Sequence, residues 1–289
     1  MMKSNNTTTL VPVLTSPAGL CLTAKNWQEV GVSIASYYLV DLLMKPGFDF
    51  LKTLPDIARY VGWHDTLVLN ASLPSLSSDG FYKVRSRYDG SSKQYTPEDI
   101  WQIISSLRPT IVILPESLIP SIPTQDWLIP ESVRVIVPIT ERLNFSADNR
   151  TIGTYMDCGD NNKGEIELSA SFFKNQEAPD YVVGELNLAQ MLVLAEERVA
   201  YIESDIPARE ALLGRVYCSD GVLSIDNAEF AMQCEVIEKD CLCPTCTQSF
   251  TRAYLHHLLG QTPLLCQRLL VQHNIYYCQA ELNNFKKAR

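Results

Sequence analysis

Apolar residues along this chain gather in short continuous runs, with helical or polar stretches between them. Leu10–Leu14, Val32–Ala35, Thr66–Asn70, Thr110–Leu114, Val133–Ile139, Glu165–Ser169, Tyr181–Val183 and Val199–Glu203 are predicted as strands. The run Thr110-Ile-Val-Ile-Leu114 has no polar alternation, which suits a parallel strand buried on both faces. Thr96-Pro97-Glu98-Asp99 opens a helix: a hydroxyl cap, a proline in the first turn, then acids at the positive end of the dipole. That helix leads directly into the Thr110 strand, and a second helix, opened by Asn187-Leu188, leads into the Val199 strand. Alternating helices and about eight strands predict an α/β fold of the (β/α)8 TIM-barrel type, with a doubly wound open sheet as the alternative. Little helix is evident between Ser117 and Pro179, so the barrel is expected to be incomplete there. The final sixty residues differ: one helix runs from Thr251 to Leu259 and stops at Gly260, and Thr262-Pro263 starts another toward Asn283.

Composition narrows the function classes. The chain has 289 residues, of which 46% are hydrophobic and 20% charged, enough apolar material for a large core. It lacks both a Gly-x-Gly-x-x-Gly turn and a Gly-Lys-Ser/Thr loop, which argues against dinucleotide and P-loop nucleotide sites. No run of about 18 apolar residues suggests a membrane span, and the polar Met1–Thr9 has no secretory layout, so the cytoplasm is the expected compartment. The net charge of −9 excludes a generally basic nucleic-acid binder. Contact with RNA would need a local patch such as Lys83, Arg85, Arg87 and Lys93, or Arg209 with Arg215, or Lys286, Lys287 and Arg289.

Nine cysteines, an odd number, argue against a disulfide framework. Three lie within six residues, Cys241-Leu-Cys243-Pro-Thr-Cys246, where a tight turn would place three thiolates together. Structural Zn2+ takes four tetrahedral ligands, and the residues alone leave His256, His257, Cys266, His273 and Cys278 as candidates for the fourth. With all four positions held by protein, the ion pins the chain and leaves no position for a reacting water.

Several stretches together resemble the tRNA-guanine transglycosylase family. They are the three cysteines, Thr251-Arg-Ala-Tyr-Leu-His-His-Leu258, His273-Asn274, Arg215-Val-Tyr-Cys-Ser-Asp-Gly-Val-Leu-Ser-Ile-Asp-Asn-Ala228, Tyr88-Asp-Gly-Ser-Ser-Lys-Gln-Tyr-Thr-Pro-Glu98 and Met44-Lys-Pro-Gly47. One residue more than the family pattern separates Cys246 from the Arg-Ala-Tyr element. The resemblance implies a TIM barrel over residues 1–230 and a zinc-binding helical subdomain over 231–289. It makes His273 the fourth ligand beside Cys241, Cys243 and Cys246.

The family exchanges a guanine in tRNA for a 7-deazaguanine base, using one carboxylate to hold the ribose C1′ and a second as general acid/base. Its nucleophile stretch resembles Ile202-Glu203-Ser204-Asp205-Ile206-Pro207-Ala208-Arg209, where Glu203 stands in place of Asp, with Asp205 as a second carboxylate that shares its face if the strand continues that far. The extra methylene moves the carboxylate by roughly 1.5 Å, and an error of about 1 Å can cost about 100-fold in rate. The general-base position falls on Asn70, and an amide cannot take the proton. Glu116 stands where an Asp reading the guanine edge is expected, and the resemblance places Arg209 with it among the substrate-binding residues. This eroded set resembles the non-catalytic partner subunit of the eukaryotic queuine-inserting enzyme. It implies a tRNA-binding or accessory role in queuosine-type modification, as a homodimer or as a heterodimer with a catalytic subunit. The alternatives are an active base-exchanging enzyme of altered specificity using Glu203 or Asp205, and a zinc-stapled scaffold with no nucleic-acid role.

Overall fold

A computed structural model describes residues 8–121, 129–141, 152–159 and 178–287. Eight parallel strands form one sheet: β1 (Thr9–Val11), β2 (Ile34–Tyr38), β3 (Thr66–Asn70), β4 (Ile111–Ile113), β5 (Arg134–Pro138), β6 (Ile152–Asp157), β7 (Tyr181–Val183) and β8 (Tyr201–Glu203). Their order is β2-β3-β4-β5-β6-β7-β8-β1. From β3 onward each strand lies beside its predecessor, and the first lies beside the last. A sequential parallel order that returns to its first strand is the signature of a TIM-type barrel rather than a doubly wound sheet, whose order reverses at a switch point.

The chain divides into two compact units. The first holds residues 34–157 and 179–183 among those described. Its strands are buried on both faces, as the unalternated runs require: Leu67, Val68 and Leu69 of β3, all of β4, and Val135, Ile136 and Val137 of β5 are in the core. Register is set by pairs such as Tyr38 with Asn70, Asn70 with Ile113, and Ile113 with Ile136. The helix Pro97–Leu107 starts as predicted, with a reciprocal capping box between Thr96 and Asp99. It buries Ile100, Trp101, Ile103, Ile104 and Leu107 along one side. The strand at Ile152–Asp157 was not among those predicted; the predicted strand at Glu165–Ser169 lies outside the described residues, as does much of the segment expected to lack helices.

The second unit holds residues 8–33, 158–159, 178 and 184–287 among those described. Here β1 pairs with β8 in the register Thr9–Tyr201, Leu10–Ile202 and Val11–Glu203. The Asn187-capped helix Leu188–Glu196 and the helix Ile206–Leu212 precede an antiparallel hairpin, Arg215–Cys218 with Gly221–Ser224. The turn between the hairpin strands closes on Gly221 at φ +116°, a conformation only glycine adopts without strain. Helices Arg252–Gln261 and Pro263–Lys287 follow. The former continues through Gly260, which was expected to end it. Among the described residues, no helix is long and apolar enough to cross a membrane.

Candidate functional site

Cys243 caps the one-turn helix Pro244–Thr247, and its sulfur accepts the backbone N–H of Cys246 at 3.4 Å. Proline at the first position costs no hydrogen bond there and stiffens the turn that carries both sulfurs. The buried Thr245 hydroxyl donates to the Leu269 carbonyl at 2.7 Å, fastening this turn to the terminal helix. Arg252 fastens the strand of chain leading to Cys241: its Nε and Nη2 donate to the carbonyls of Val236 and Ile237, and Nη1 to the Gln233 side chain.

The terminal helix brings His273 into the cluster. The three sulfurs and one nitrogen of Cys241, Cys243, Cys246 and His273 lie within 4.8 Å of one another, all buried. His273 Nδ1 is 3.7, 3.4 and 3.4 Å from the sulfurs of Cys241, Cys243 and Cys246. A tetrahedral ion with a metal–sulfur distance near 2.3 Å and a metal–nitrogen distance near 2.1 Å puts S and N about 3.6 Å apart. The donor set and its spacing therefore fit a four-coordinate thiophilic metal. The opposite ring nitrogen, Nε2, is 2.7 Å from the carbonyl of Tyr217. A carbonyl only accepts, so Nε2 carries a proton and Nδ1 is the ring atom left to ligate an ion, which on binding would take the place of any proton there. The four groups also polarise one another. Hydrogen bonds from Cys241 and Cys243 hold the Cys246 thiol far below the usual range. Burial pulls His273 down, but the sulfurs of Cys243 and Cys246 outweigh it and push the ring up to about 9.

The other ligand candidates are engaged elsewhere. His256 Nδ1 meets the Ile225 carbonyl at 2.7 Å, and Cys266 donates to the Leu255 carbonyl at 3.3 Å. His257 is exposed, and Cys278 is buried outside the cluster.

The strand-end groups fall in both units. In the second, Glu203 ends β8 and is fully buried, and its carbonyl accepts the Gly184 N–H at 3.1 Å. Ser204 locks the segment after it, donating to the Leu186 carbonyl and accepting the N–H groups of Leu186 and Ile206. The strand stops at Glu203, so side-chain alternation does not carry on to Asp205. Asp205 opens the next helix without a side-chain cap bond, and its carboxylate accepts the Ser16 hydroxyl at 2.7 Å. Ser16 in turn accepts the Gly19 N–H. Arg209 is paired with Glu185.

In the first unit, Asn70 ends β3, fully buried, with its side-chain oxygen accepting the Ser72 N–H at 3.0 Å. Glu116 is exposed and starts the 3-10 turn Glu116–Ser121. Burial pushes the Tyr155 phenol well up, and the carboxylates of Asp157 and Glu116 add to that shift. Asp157, at the end of β6, was not singled out from the sequence, because its strand was not predicted. Ser16 was missed for another reason: it lies 189 residues from Asp205, and no local pattern links them.

A family model described as queuine tRNA-ribosyltransferase matches residues 2–150 and 151–288. A protein of Thermodesulfovibrio yellowstonii described as a queuine tRNA-ribosyltransferase is 24% identical over 95% of this chain and 82% of its own length. Proteins of the same description from Dictyoglomus turgidum and Nitrosomonas eutropha are each 24% identical over 98% of this chain, covering 84% and 89% of their own lengths.

Proposed function

This chain belongs to the queuine tRNA-ribosyltransferase family, and from that membership we propose that it is a tRNA-binding accessory member that does not exchange bases on its own. Asn70 carries the reading. Base exchange at a ribose needs a group to hold C1′ and a second to move the proton of the departing and arriving bases. An Asn amide is far too weak a base to take up a proton near neutral pH, and the Asn70 oxygen accepts the Ser72 N–H. Glu203 stands in the nucleophile's place with a longer side chain than Asp, and the buried, hydrogen-bonded segment around it leaves little slack to correct its reach.

In this reading the cluster of Cys241, Cys243, Cys246 and His273 holds Zn2+ as a staple of the 231–289 subdomain, and residues 1–230 supply the barrel. The ion contributes folding energy when bound, while Thr245, Arg252 and His273 fix the turn and helix that present the ligands. The compartment is the cytoplasm, where thiols stay reduced. The partner is a second copy of the chain or a catalytic homologue that supplies the missing carboxylates. The test is incorporation of labelled guanine into tRNA by the zinc-loaded chain, alone and with a catalytic homologue. Retention of tRNA without exchange by the chain alone supports the reading; exchange by the chain alone overturns it.

A second reading has one observation in its favour: Glu203 is a fully buried carboxylate at the end of a barrel strand, the usual place for catalytic groups. It makes the chain an active enzyme of altered specificity. A covalent nucleic-acid adduct that disappears in Glu203→Gln would establish it.

A further inference from the structure

The first unit carries a feature that neither the metal cluster nor the strand-end groups use. Residues Tyr82–Arg85 and Ser92–Tyr95 form an antiparallel hairpin, with Val84 opposite Lys93 and Arg85 opposite Ser92. Tyr82, Val84 and Tyr95 anchor it in the core, and the Tyr82 hydroxyl bonds to Ser117. The rest of it faces water, and Lys83, Arg85, Arg87 and Lys93 are all exposed. These fourteen residues hold four cations against one acid, Asp89, in a chain whose net charge is −9. Asp89 sits exposed on the hairpin tip, where its carboxylate accepts both the N–H and the hydroxyl of Ser91.

Next to that tip an exposed aromatic ring organises one of these cations and a further one, Lys45. Tyr88 is 55% exposed, with Lys45 Nζ 5.3 Å and Arg87 Cζ 5.5 Å from its ring centre. Arg87 also reaches Asp41 at 3.3 Å, which fixes its position at the edge of the patch. Cations held over an aromatic face lose less freedom when an anion arrives than cations on free side chains do. Lys83 and Arg85, two apart on one strand, point to the same side about 6.8 Å apart. Lys93, paired opposite the core-facing Val84, projects from the other face toward Gly47. Cations on both faces of an exposed ribbon, with an exposed aromatic ring beside them, give a nucleic-acid backbone a grip that does not read its sequence.

We infer that the 82–95 hairpin, with Lys45 and Tyr88, is the surface that holds the RNA phosphate backbone. This inference rests on the tRNA-binding reading above and assigns that binding to particular residues. The side chains concerned contribute nothing to the core, so replacing them leaves the fold intact.

The experiment is an anisotropy titration of a labelled tRNA transcript with the full zinc-loaded chain, repeated across a salt series. The variants are K83E/R85E/K93E and a control of equal charge change elsewhere, K25E/K239E/R59E. Unchanged metal content and melting temperature verify folding, and K83Q/R85Q/K93Q replaces the reversed variant if that one melts early. The expected result is binding about tenfold weaker in the hairpin variant, with a salt slope shallower by about two to three, and a much smaller loss in the control. Equal losses in both variants, or no loss in the hairpin variant while the wild-type chain binds tRNA, would overturn the inference and leave the tRNA-binding reading standing. No tRNA binding by the wild-type chain would overturn both. Hairpin-dependent capture by phosphatidylserine vesicles in place of tRNA would reassign the patch to a lipid surface and overturn the inference.

Discussion

His273 is joined to Tyr217 by a 2.7 Å hydrogen bond from its ring Nε2–H to the backbone carbonyl, while its Nδ1 faces the three sulfurs. The next residue completes the grip. Asn274 accepts the N–H of the same Tyr217 at 3.1 Å and donates to the carbonyls of Pro207 and Arg215 at 3.0 and 2.9 Å. One His-Asn pair thus serves the metal cluster, the hairpin at Arg215–Cys218 and the helix that follows Glu203.

Asn274 is fully buried and makes three hydrogen bonds to backbone groups. Asn274→Ala strands those groups without water and should cost about 2–4 kcal/mol, seen as a lower midpoint in urea unfolding with little change in slope. Asn274→Asp keeps the acceptor for Tyr217 but sets a carboxylate against two carbonyls, so it should be at least as damaging.

Metal content separates ligand from bystander cysteines. Cys243→Ser should lower bound metal from about one ion per chain to near zero and cost most of the stability of the terminal helices. Cys266→Ser, which changes a thiol that donates to the Leu255 carbonyl, should retain the ion. Elemental analysis of the purified proteins decides between them.

Burial pushes the Cys266 thiol from its ordinary 9.0 up to about 12. The folded chain keeps this proton when the unfolded chain has lost it, so the unfolded state binds fewer protons above pH 9. Stability from this group is intact below pH 9 and falls as the pH rises toward 12, by up to about 1.4 kcal/mol per unit. Melting temperatures across this range should drop, and Cys266→Ala should flatten the drop.

Thr96→Ala removes the hydroxyl that accepts the Asp99 N–H at 3.1 Å and leaves half of a capping box. The expected loss is about 1 kcal/mol, with no change in metal content, read by thermal unfolding and elemental analysis.

Much of the fold was legible because burial on both faces leaves a plain trace. The β3 and β4 runs are apolar without alternation, and Thr96 and Asn187 cap their helices as their positions suggest. The β6 strand escaped because Ile-Gly-Thr-Tyr-Met-Asp mixes a glycine and polar residues into its run, and its place in the sheet comes from pairing with β5 and β7. The 82–95 hairpin escaped for a similar reason: Ser-Lys-Gln-Tyr is almost wholly polar and is held by Tyr82 and Tyr95 rather than by its own pattern. The cysteine turn was evident from spacing; the residues alone left five candidates for the fourth ligand, the family resemblance singled out His273, and the terminal helix brings that ring to the sulfurs. The partners of Asp205 and Asn274 are contacts across distant sequence, which no local rule anticipates.

The placement of β1 has a consequence for how the protein is made. Its Leu10 N–H is bonded to the side chain of Gln279, 269 residues later, and its ladder partner is β8. A ribosome adding about 5–20 residues per second takes on the order of tens of seconds to cover that distance. Strand β1 is therefore made long before the residues that fasten it, and during translation its open edge must be kept from mispairing until Gln279 has been added.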